Sequence, residues 1–336
     1  MKIAVVILNW NGSKLLEKFL PSVISYSPNA TIYVADNAST DNSIAFLKEH
    51  YPSIKIIQNT TNGGYAKGYN EALQQVSEDV FCLLNSDIEV TPNWLTPIEN
   101  AFKEFKDVAI LQPKILDYKQ KNYFEYAGAA GGYLDRLGYP FCRGRIFQTL
   151  EEDKSQYNDI KEIFWATGAC MFIKRDIFNA LGGFDEDYFA HQEEIDLCWR
   201  AQNHNYKILY VGTSKVYHVG GATLGNMNPK KTFLNFRNSL FSITKNLPKR
   251  KVFPLIIARL FLDGIAGIRF LFQLKFLHLF AIIKAHFSYY YYFFRIFKKR
   301  DTINKDIKYF ECTSIVLSYF LKQKRYYYEI VNQRTS

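Results

Sequence analysis

The sequence predicts an α/β protein. Its core is a mostly parallel central sheet flanked by helices, and a helical C-terminal region follows. Three observations carry that expectation. Over the first ~115 residues, short apolar runs alternate with helical stretches, the pattern of a sheet built with crossover helices. Several of those runs end in small, polar or acidic residues, at the edge where such a sheet binds ligands. Around Pro248 the composition shifts to apolar and aromatic residues interrupted by Lys and Arg. With 336 residues, the chain is long enough for one large core and an appendage, and the expected division is 1–245 and 246–336.

The elements follow in order. "IAVVIL" (Ile3 to Leu8) reads as a buried strand rather than the apolar part of a signal peptide, because it is short and runs into Asn-Trp-Asn-Gly. Ser13 to Ser25 places Leu15, Leu16, Phe19, Leu20 and Val23 on one helical stripe. "TIYVAD" is a second strand, and a helix follows with Ser39 or Thr40 as its cap. "IKIIQN" is a third strand, and "GYAKGYNEALQQV" is a helix after a Gly-Gly turn. "DVFCLLNSD" is a fourth strand. "VAILQPKIL" is a strand that leads into a Gly- and aromatic-rich region, Tyr126 to Gly144, suited to a second substrate half or a lid. "IFWATGACMFIKRDIF" returns to apolar alternation. "HQEEIDLCWRAQNHNYKILYV" is a helix and then a strand, and "KVYHVGGAT" is a strand end.

The net charge of +10 points to an anionic partner: nucleic acid, a phosphorylated ligand or lipid head groups. Much of the excess lies beside apolar runs in the tail rather than in a polar stripe, which argues against nucleic acid. Lys249 to Arg300 has no stretch of ~18 residues free of charge, so it does not read as a transmembrane span. Its Phe, Leu and Tyr mixed with Lys and Arg fit helices lying in a membrane interface, and the alternative is a helical core. Five cysteines without a C-x-x-C pair read as reduced core thiols of a cytoplasmic protein.

Four stretches carry candidate chemistry. In "ADNASTDNS", Asp36 ends a strand and Asn37 follows, so the carboxylate is placed to accept the imide N–H of a pyrimidine base. In "NGGYAKGYNEAL", Gly63 and Gly64 allow close backbone approach, and Lys67 with the helix N-terminus adds positive potential for a diphosphate. The stretch is neither a Walker loop nor G-x-G-x-x-G. In "LLNSDIEV", Asn85 and Asp87 are two apart on an extended chain and face one side, and their oxygens suit Mg²⁺ or Mn²⁺, with His218 a possible imidazole ligand. In "HQEEIDLCWRAQ", Asp196 and Arg200 are spaced for an ion pair, and Ile195, Cys198, Trp199 and Gln202 share one face. Glu193 and Glu194 stand side by side in the first turn, either as charges favoured by the helix dipole or as a general base.

Taken in order, "VVILNWNG", "ADNASTDNS", "NGGYAKGYNEAL", "LLNSDIEV", "WATGACMFIKRDIFNALGGFDEDYF", "EEIDLCWR" and "YHVGGAT" resemble the inverting family 2 glycosyltransferases of GT-A fold, over about Lys2 to Leu240. They look most like the rhamnosyltransferase-like branch that builds bacterial surface polysaccharides. The resemblance implies that Leu8, Asn9, Asp36 and Asn37 hold the nucleoside, and that Gly63, Gly64 and Lys67 border the ribose and diphosphate. Asn85, Ser86 and Asp87 stand at the family's Asp-x-Asp, with Asp87 on the metal and His218 completing its shell. Glu194, beside Glu193, stands at the general base, and Gly168 and Ala169, with Trp165 nearby, line the donor and acceptor pocket. Two departures stand out: Asn85 replaces an acid, and Glu194 replaces Asp. The implied reaction moves a sugar from a UDP- or dTDP-sugar to a glycan or lipid-linked acceptor, with Mg²⁺ or Mn²⁺, on the inner face of the cytoplasmic membrane. The rival readings are a GT-A-like binding protein without catalysis and a nucleotidyltransferase, and "LNWNGSKLLEK" lacks the latter's phosphate loop.

Overall fold

A computed structural model of the chain describes residues 1–220, 228–300 and 307–331. In chain order, the first elements are β1 (Ile3–Asn9), α1 (Ser13–Tyr26), β2 (Thr31–Asp36), α2 (Ser43–His50), β3 (Lys55–Gln58), α3 (Gly64–Leu73), β4 (Val80–Asn85), β5 (Ile88–Val90), α4 (Leu95–Glu104) and β6 (Val108–Asp117). Then come the short strands β7 (Gly132–Leu134), β8 (Pro140–Cys142), β9 (Arg145–Ile146), β10 (Thr149–Leu150) and β11 (Ile160–Glu162). They are followed by β12 (Cys170–Lys174), α5 (Arg175–Ala180), α6 (Glu193–Asn203), β13 (Lys207–His218), α7 (Pro229–Asn246), α8 (Lys249–Phe272), α9 (Phe276–Lys298), α10 (Ile315–Phe320) and α11 (Tyr327–Val331).

The main sheet runs β11-β13-β6-β12-β4-β1-β2-β3, with β5 paired to the end of β13. Strands β3, β2, β1 and β4 are parallel, as the alternating pattern predicts. The sheet is nevertheless mixed rather than mostly parallel, because β12 enters antiparallel between β4 and β6. Residues 4, 6, 81, 83, 171 and 173 feed one apolar layer, and residues 3, 5, 7, 82, 84, 170 and 172 feed the other, as alternation along each strand requires. All five cysteines are buried.

Two pairings bring distant segments to one edge. Because β12 starts opposite the end of β4, with Cys170 beside Leu84, Asn85 N–H bonds Ala169 O at 2.9 Å. Strand β13 is one long strand rather than two, with a register shift between Val211 and Lys215, and its end pairs His218 with Ile88. That pairing sets His218 next to Asp87. Helix α2 begins at Ser43, later than the expected cap. Ser39 Oγ instead accepts from Asn9 Nδ2 (3.2 Å) and Asn11 N (2.9 Å), tying together the loops that follow β1 and β2.

The Gly- and aromatic-rich region forms a second, four-stranded sheet, β10-β9-β8-β7. The C-terminal helices pack on the rest of the chain. Thr232 Oγ1 meets His278 Nδ1 at 2.8 Å and Thr244 Oγ1 meets Tyr289 OH at 2.8 Å, so α7 and α9 run parallel, with α8 as the return. From α8, Asp263 accepts from Tyr139 OH at 3.0 Å. The chain then comes back to the small sheet, where Arg136 N bonds Cys312 O at 2.8 Å and Tyr327 packs on Tyr133 and Phe141. No helix among the described residues is long and apolar enough to cross a membrane.

Helix α6 is fixed by a buried ionic network. Asp196 is fully buried and accepts from Arg200 Nε (2.9 Å), Lys245 Nζ (2.9 Å) and Asn246 Nδ2 (2.8 Å). Burial opposes its charge, but Lys245 and Arg200 hold its carboxyl well below the usual range. Lys245 also bonds Asp185 at 2.8 Å, and Lys299 and Arg295 of the C-terminal region bond Asp187. Lys245→Met removes the cation that Asp185 and Asp196 share, leaving Lys299 on the first and Arg200 on the second, and we expect it to lower unfolding stability by about 2 kcal/mol, measured by urea denaturation.

Candidate active site

The polar strand ends converge as the topology requires. Asn9 and Asp36 lie side by side on neighbouring strands, and Asn9 Nδ2 donates to Asp36 Oδ1 at 3.1 Å. The other Asp36 oxygen accepts from Ser39 N at 2.9 Å. Asn9 Oδ1 is buried and makes no hydrogen bond, and a Cβ at Gly12 would lie 2.4 Å from it. Asn37 is buried; its Nδ2 donates to Asn62 Oδ1 and Gly64 O, each at 3.0 Å, and its Oδ1 accepts from Asn59. Leu8 is partly buried on the same strand end.

The Gly-Gly turn serves a different purpose from the one expected of it. Gly63 N bonds Thr61 O, Gly64 N bonds Asn62 Oδ1, and the N–H groups of Tyr65 and Ala66 both point to Phe189 O. These four donors are therefore used inside the protein and do not await a phosphate. Gly64 has φ +77°, and a side chain there would strike Phe189 O at 2.4 Å. The glycine lets α3 dock directly on the segment that leads to the acid pair. Lys67 remains half exposed, 3.5 Å from Glu71.

At the end of β4, Asn85 and Ser86 are partly buried and Asp87 is buried. His218 Nε2 lies 3.2 Å from Asp87 Oδ1, and Nδ1 lies 3.3 Å from Glu125 Oε2. Glu125 is a buried acid that the sequence reading did not single out. Burial disfavours an imidazolium, but Glu125 and Asp87 outweigh it and lift the His218 pKa to about 10. Among the described residues, no group of three or more acidic, His or Cys side chains is arranged to hold an ion by itself. Asp87 and His218 nevertheless fit one that also takes ligand oxygens. Adjacent ligands of an octahedral ion with bonds of about 2.1 Å stand about 3 Å apart, close to the observed Nε2–Oδ1 separation. His218 Nδ1 has no well-aligned hydrogen bond, and Glu125 faces it as an orienting carboxylate does at a metal-bound histidine. Gly220 has φ +69°, and a Cβ there would press on Glu125. Gly221, Ala222 and Thr223 of "YHVGGAT" lie outside the described residues.

Gly168 sits against Tyr65, whose hydroxyl donates to Gly168 O at 2.7 Å, while Ala169 borders Asn85. Trp165 is buried in the core: its indole N–H donates to Tyr133 O at 3.0 Å and its ring lies over Gly132. It supports the segment from below rather than lining an open pocket.

The acid pair opens α6 after two residues in the left-handed region, His191 (φ 68°) and Gln192 (φ 73°). Asn238 of α7 holds this strained turn, donating to Tyr188 O, Ala190 O and His191 O at 2.7–3.0 Å. Glu193 is buried and Glu194 partly exposed, and each has one oxygen without a hydrogen bond. Burial, with Glu194 beside it, raises the Glu193 pKa well above the carboxylate range. Burial lifts Glu194 to about 7, where a carboxylate works as a base near neutral pH. Between pH 4.5 and 7 the folded chain keeps a proton on Glu194 that the unfolded chain has released, so folding stability falls as pH rises across that window. Glu194→Gln is therefore expected to raise Tm at pH 8, with most of the gain gone at pH 5, in paired thermal melts.

A model of the family described as glycosyl transferase family 2 matches residues 4–182. The chain is 24% identical over 229 residues to N-acetylglucosaminyl-diphospho-decaprenol L-rhamnosyltransferase of Mycobacterium tuberculosis, covering 64% of this chain and 75% of that one. It is 25% identical over 227 residues to rhamnosyltransferase WbbL of Escherichia coli K12, covering 64% and 82%. Among solved structures it is similar to GalNAc-T7 with UDP, GalNAc and Mn²⁺, with TM-score 0.58, 18% identity and 75% of this chain covered. The match spans about half of that structure, 49%. It is also similar to mannosyltransferase PcManGT from Pyrobaculum calidifontis in complex with GDP-Man and Mn²⁺, with TM-score 0.52, 14% identity and coverage of 86% and 87%. These likenesses show a GT-A-like fold.

Proposed function

Because the chain belongs to glycosyl transferase family 2, we propose that it is an inverting transferase acting in cell-surface polysaccharide synthesis. It takes a sugar from a UDP- or dTDP-sugar and transfers it to a hydroxyl of a glycan or lipid-linked acceptor. The names of the relatives, two of them rhamnosyltransferases and one with a diphospho-decaprenol acceptor, support sugar transfer to a lipid-linked acceptor. The observation that carries the reading is one sheet edge that sets Asn9 beside Asp36 and Asp87 beside His218, with α3 docked on the segment that leads to the acid pair.

Asn9, Asp36 and Asn37 bind the nucleoside, and Lys67 faces the diphosphate. Asp87 and His218 would hold a divalent ion, Mg²⁺ or Mn²⁺, which when bound would supply charge to offset that developing on the leaving diphosphate. Glu194 takes the proton of the acceptor hydroxyl. The hydroxyl oxygen forms the new bond to the anomeric carbon as the bond to the diphosphate breaks, and the nucleoside diphosphate leaves with that electron pair. In-line attack inverts the centre. Glu193, more deeply buried and pushed further up in pKa, stays protonated beside it.

Residues 1–245 form the transfer unit, and 246–336 contribute two helices, α8 and α9, that face a membrane surface. Helix α8 exposes Phe253, Ile257, Phe261, Ile265 and Ile268 at three- or four-residue spacing, and α9 exposes Phe276, Phe280, Ile283, Phe287, Tyr291 and Phe294 in the same way. Lys and Arg punctuate both helices, which suits the cytoplasmic face of a membrane with anionic lipids.

Calorimetry with UDP- and dTDP-sugars, with and without Mn²⁺, tests the donor assignment. Metal-dependent binding of one class, lost in Asp87→Ala, is expected, and a folded sample that binds no nucleotide refutes the transferase. Glu194→Gln is expected to bind donor normally and lose transfer by about 10²-fold or more, while the wild type gains activity as pH rises through about 7. Phe261→Asp with Phe280→Asp is expected to abolish flotation of the full chain with anionic vesicles, and unchanged flotation ends the membrane assignment.

A further inference from the structure

We propose that Arg145 and Lys231 form a phosphate-binding subsite for the acceptor, taking the phosphate or diphosphate that joins an acceptor sugar to its lipid. This rests on the function proposed above. Its basis is a buried charge without an ion-pair partner. Arg145 is 9% exposed. Other deeply buried cations have acidic partners: Lys114 on Asp153, Arg143 on Asp159, Arg200 on Asp196 and Lys245 on Asp185. Arg237 lacks one but donates to Asn238 Oδ1 and to the Asp187 and Tyr188 carbonyls. Arg145 has far less: Nη1 reaches Phe147 O at 3.4 Å, Nη2 touches Cys142 Sγ at 3.7 Å, and Nε has no acceptor. Among the described residues, no carboxylate stands within ion-pair distance of it.

The guanidinium instead lies over Tyr126, 4.0 Å from the ring centroid, and Lys231 Nζ lies 5.8 Å from the same ring. A cation–π contact offsets only part of the hydration a buried guanidinium gives up. Two cations flanking one ring repel each other unless an anion joins them. Glu125 attracts both cations through space, but it forms an ion pair with neither, and its Oε2 faces His218 and Ala127 N.

The position of the pair suits an acceptor rather than a donor. Arg145 lies on the small sheet that follows β6, whereas the nucleoside residues end β1 and β2, beyond β12 and β4 in the main sheet. Lys231 lies in the first turn of α7, near His191, where burial and then the Lys231 charge push the His191 pKa down to about 4, two residues before Glu193. The next residue, Thr232, bonds His278 in the first turn of α9, beside the exposed Leu274, Phe276 and Leu277. The cations therefore lie between the acid pair and the apolar turn that joins α8 to α9. A lipid-linked sugar has the same order: sugar, phosphate, hydrocarbon.

The test is calorimetric titration of the full chain, wild type and the double variant Arg145→Gln, Lys231→Gln, with farnesyl diphosphate, farnesol, and UDP and dTDP plus Mn²⁺. The expected result is an affinity loss of about tenfold or more for farnesyl diphosphate alone. An unchanged farnesyl diphosphate affinity, no wild-type binding of it, an equal loss for farnesol, or a loss that falls on the nucleotides overturns the proposal. Wild type that binds farnesyl diphosphate but neither nucleotide overturns the donor assignment and leaves the subsite standing. If the double variant fails to fold, Lys231→Gln alone is read against the same criteria, because that side chain is only partly buried.

Discussion

The Lys245 ammonium is the point on which the site depends. It lies in the core between Asp185 and Asp196, and it links three separate pieces of chain: α7, α6 and the loop before the acid pair. A buried ion pair seldom adds net stability over an apolar replacement, but it fixes geometry, because each misalignment leaves a charge uncompensated. Here the fixed object is the start of α6. Asp196, two residues after Glu194, is held from α7 by Lys245 and Asn246 and from its own helix by Arg200. The acid pair is thereby anchored from behind, and one oxygen of each acid makes no hydrogen bond.

That anchoring accounts for a local arrangement that would otherwise relax. Two adjacent glutamates with unpartnered oxygens follow two non-glycine residues in the left-handed region. Such features cost free energy and persist only where the surroundings over-determine them. Asn238 supplies the second constraint by capping three carbonyls of the strained turn, and Arg237 adds two more bonds to the same segment. The raised pKa of Glu194 follows from the same design: burial of its carboxyl disfavours the charged form and makes it a stronger base than an exposed carboxylate.

The parts legible in the sequence are those with local signatures. The parallel strands β1 to β4 were announced by apolar runs and helical stripes, and their polar ends by Asn9, Asp36 and Asn85. The Asp196–Arg200 pair was announced by its four-residue spacing. What was hidden depends on strand pairing across long separations. Nothing around Tyr123 to Ala127 marks Glu125 as facing His218, because that contact needs β6, β13 and the following loop in register. Asn238 and Lys245 sit in an ordinary amphipathic helix, and only the packing of α7 gives them roles. The glycines of the Gly-Gly turn were visible, yet their purpose was not. A glycine needed for chain crossing reads the same as one needed for a phosphate, and Phe189 decides between them.

The C-terminal region also gains a physical meaning from its connections. An appendage that merely tethered a transferase would need few contacts with it. Here Lys299 and Arg295 at the end of α9 bind Asp185 and Asp187, on the loop that Lys245 also holds. The helices with the largest exposed apolar stripes are thus wired into the support of the acid pair, through a side chain on each partner rather than through a linker. A parallel pair of helices, α7 carrying the clamps and α9 carrying the apolar stripe, joins the two by direct packing. Whatever surface covers α9 is therefore fixed in position and angle relative to Glu194. That arrangement suits a transferase whose acceptor hydroxyl is presented from a surface better than one whose acceptor diffuses in freely.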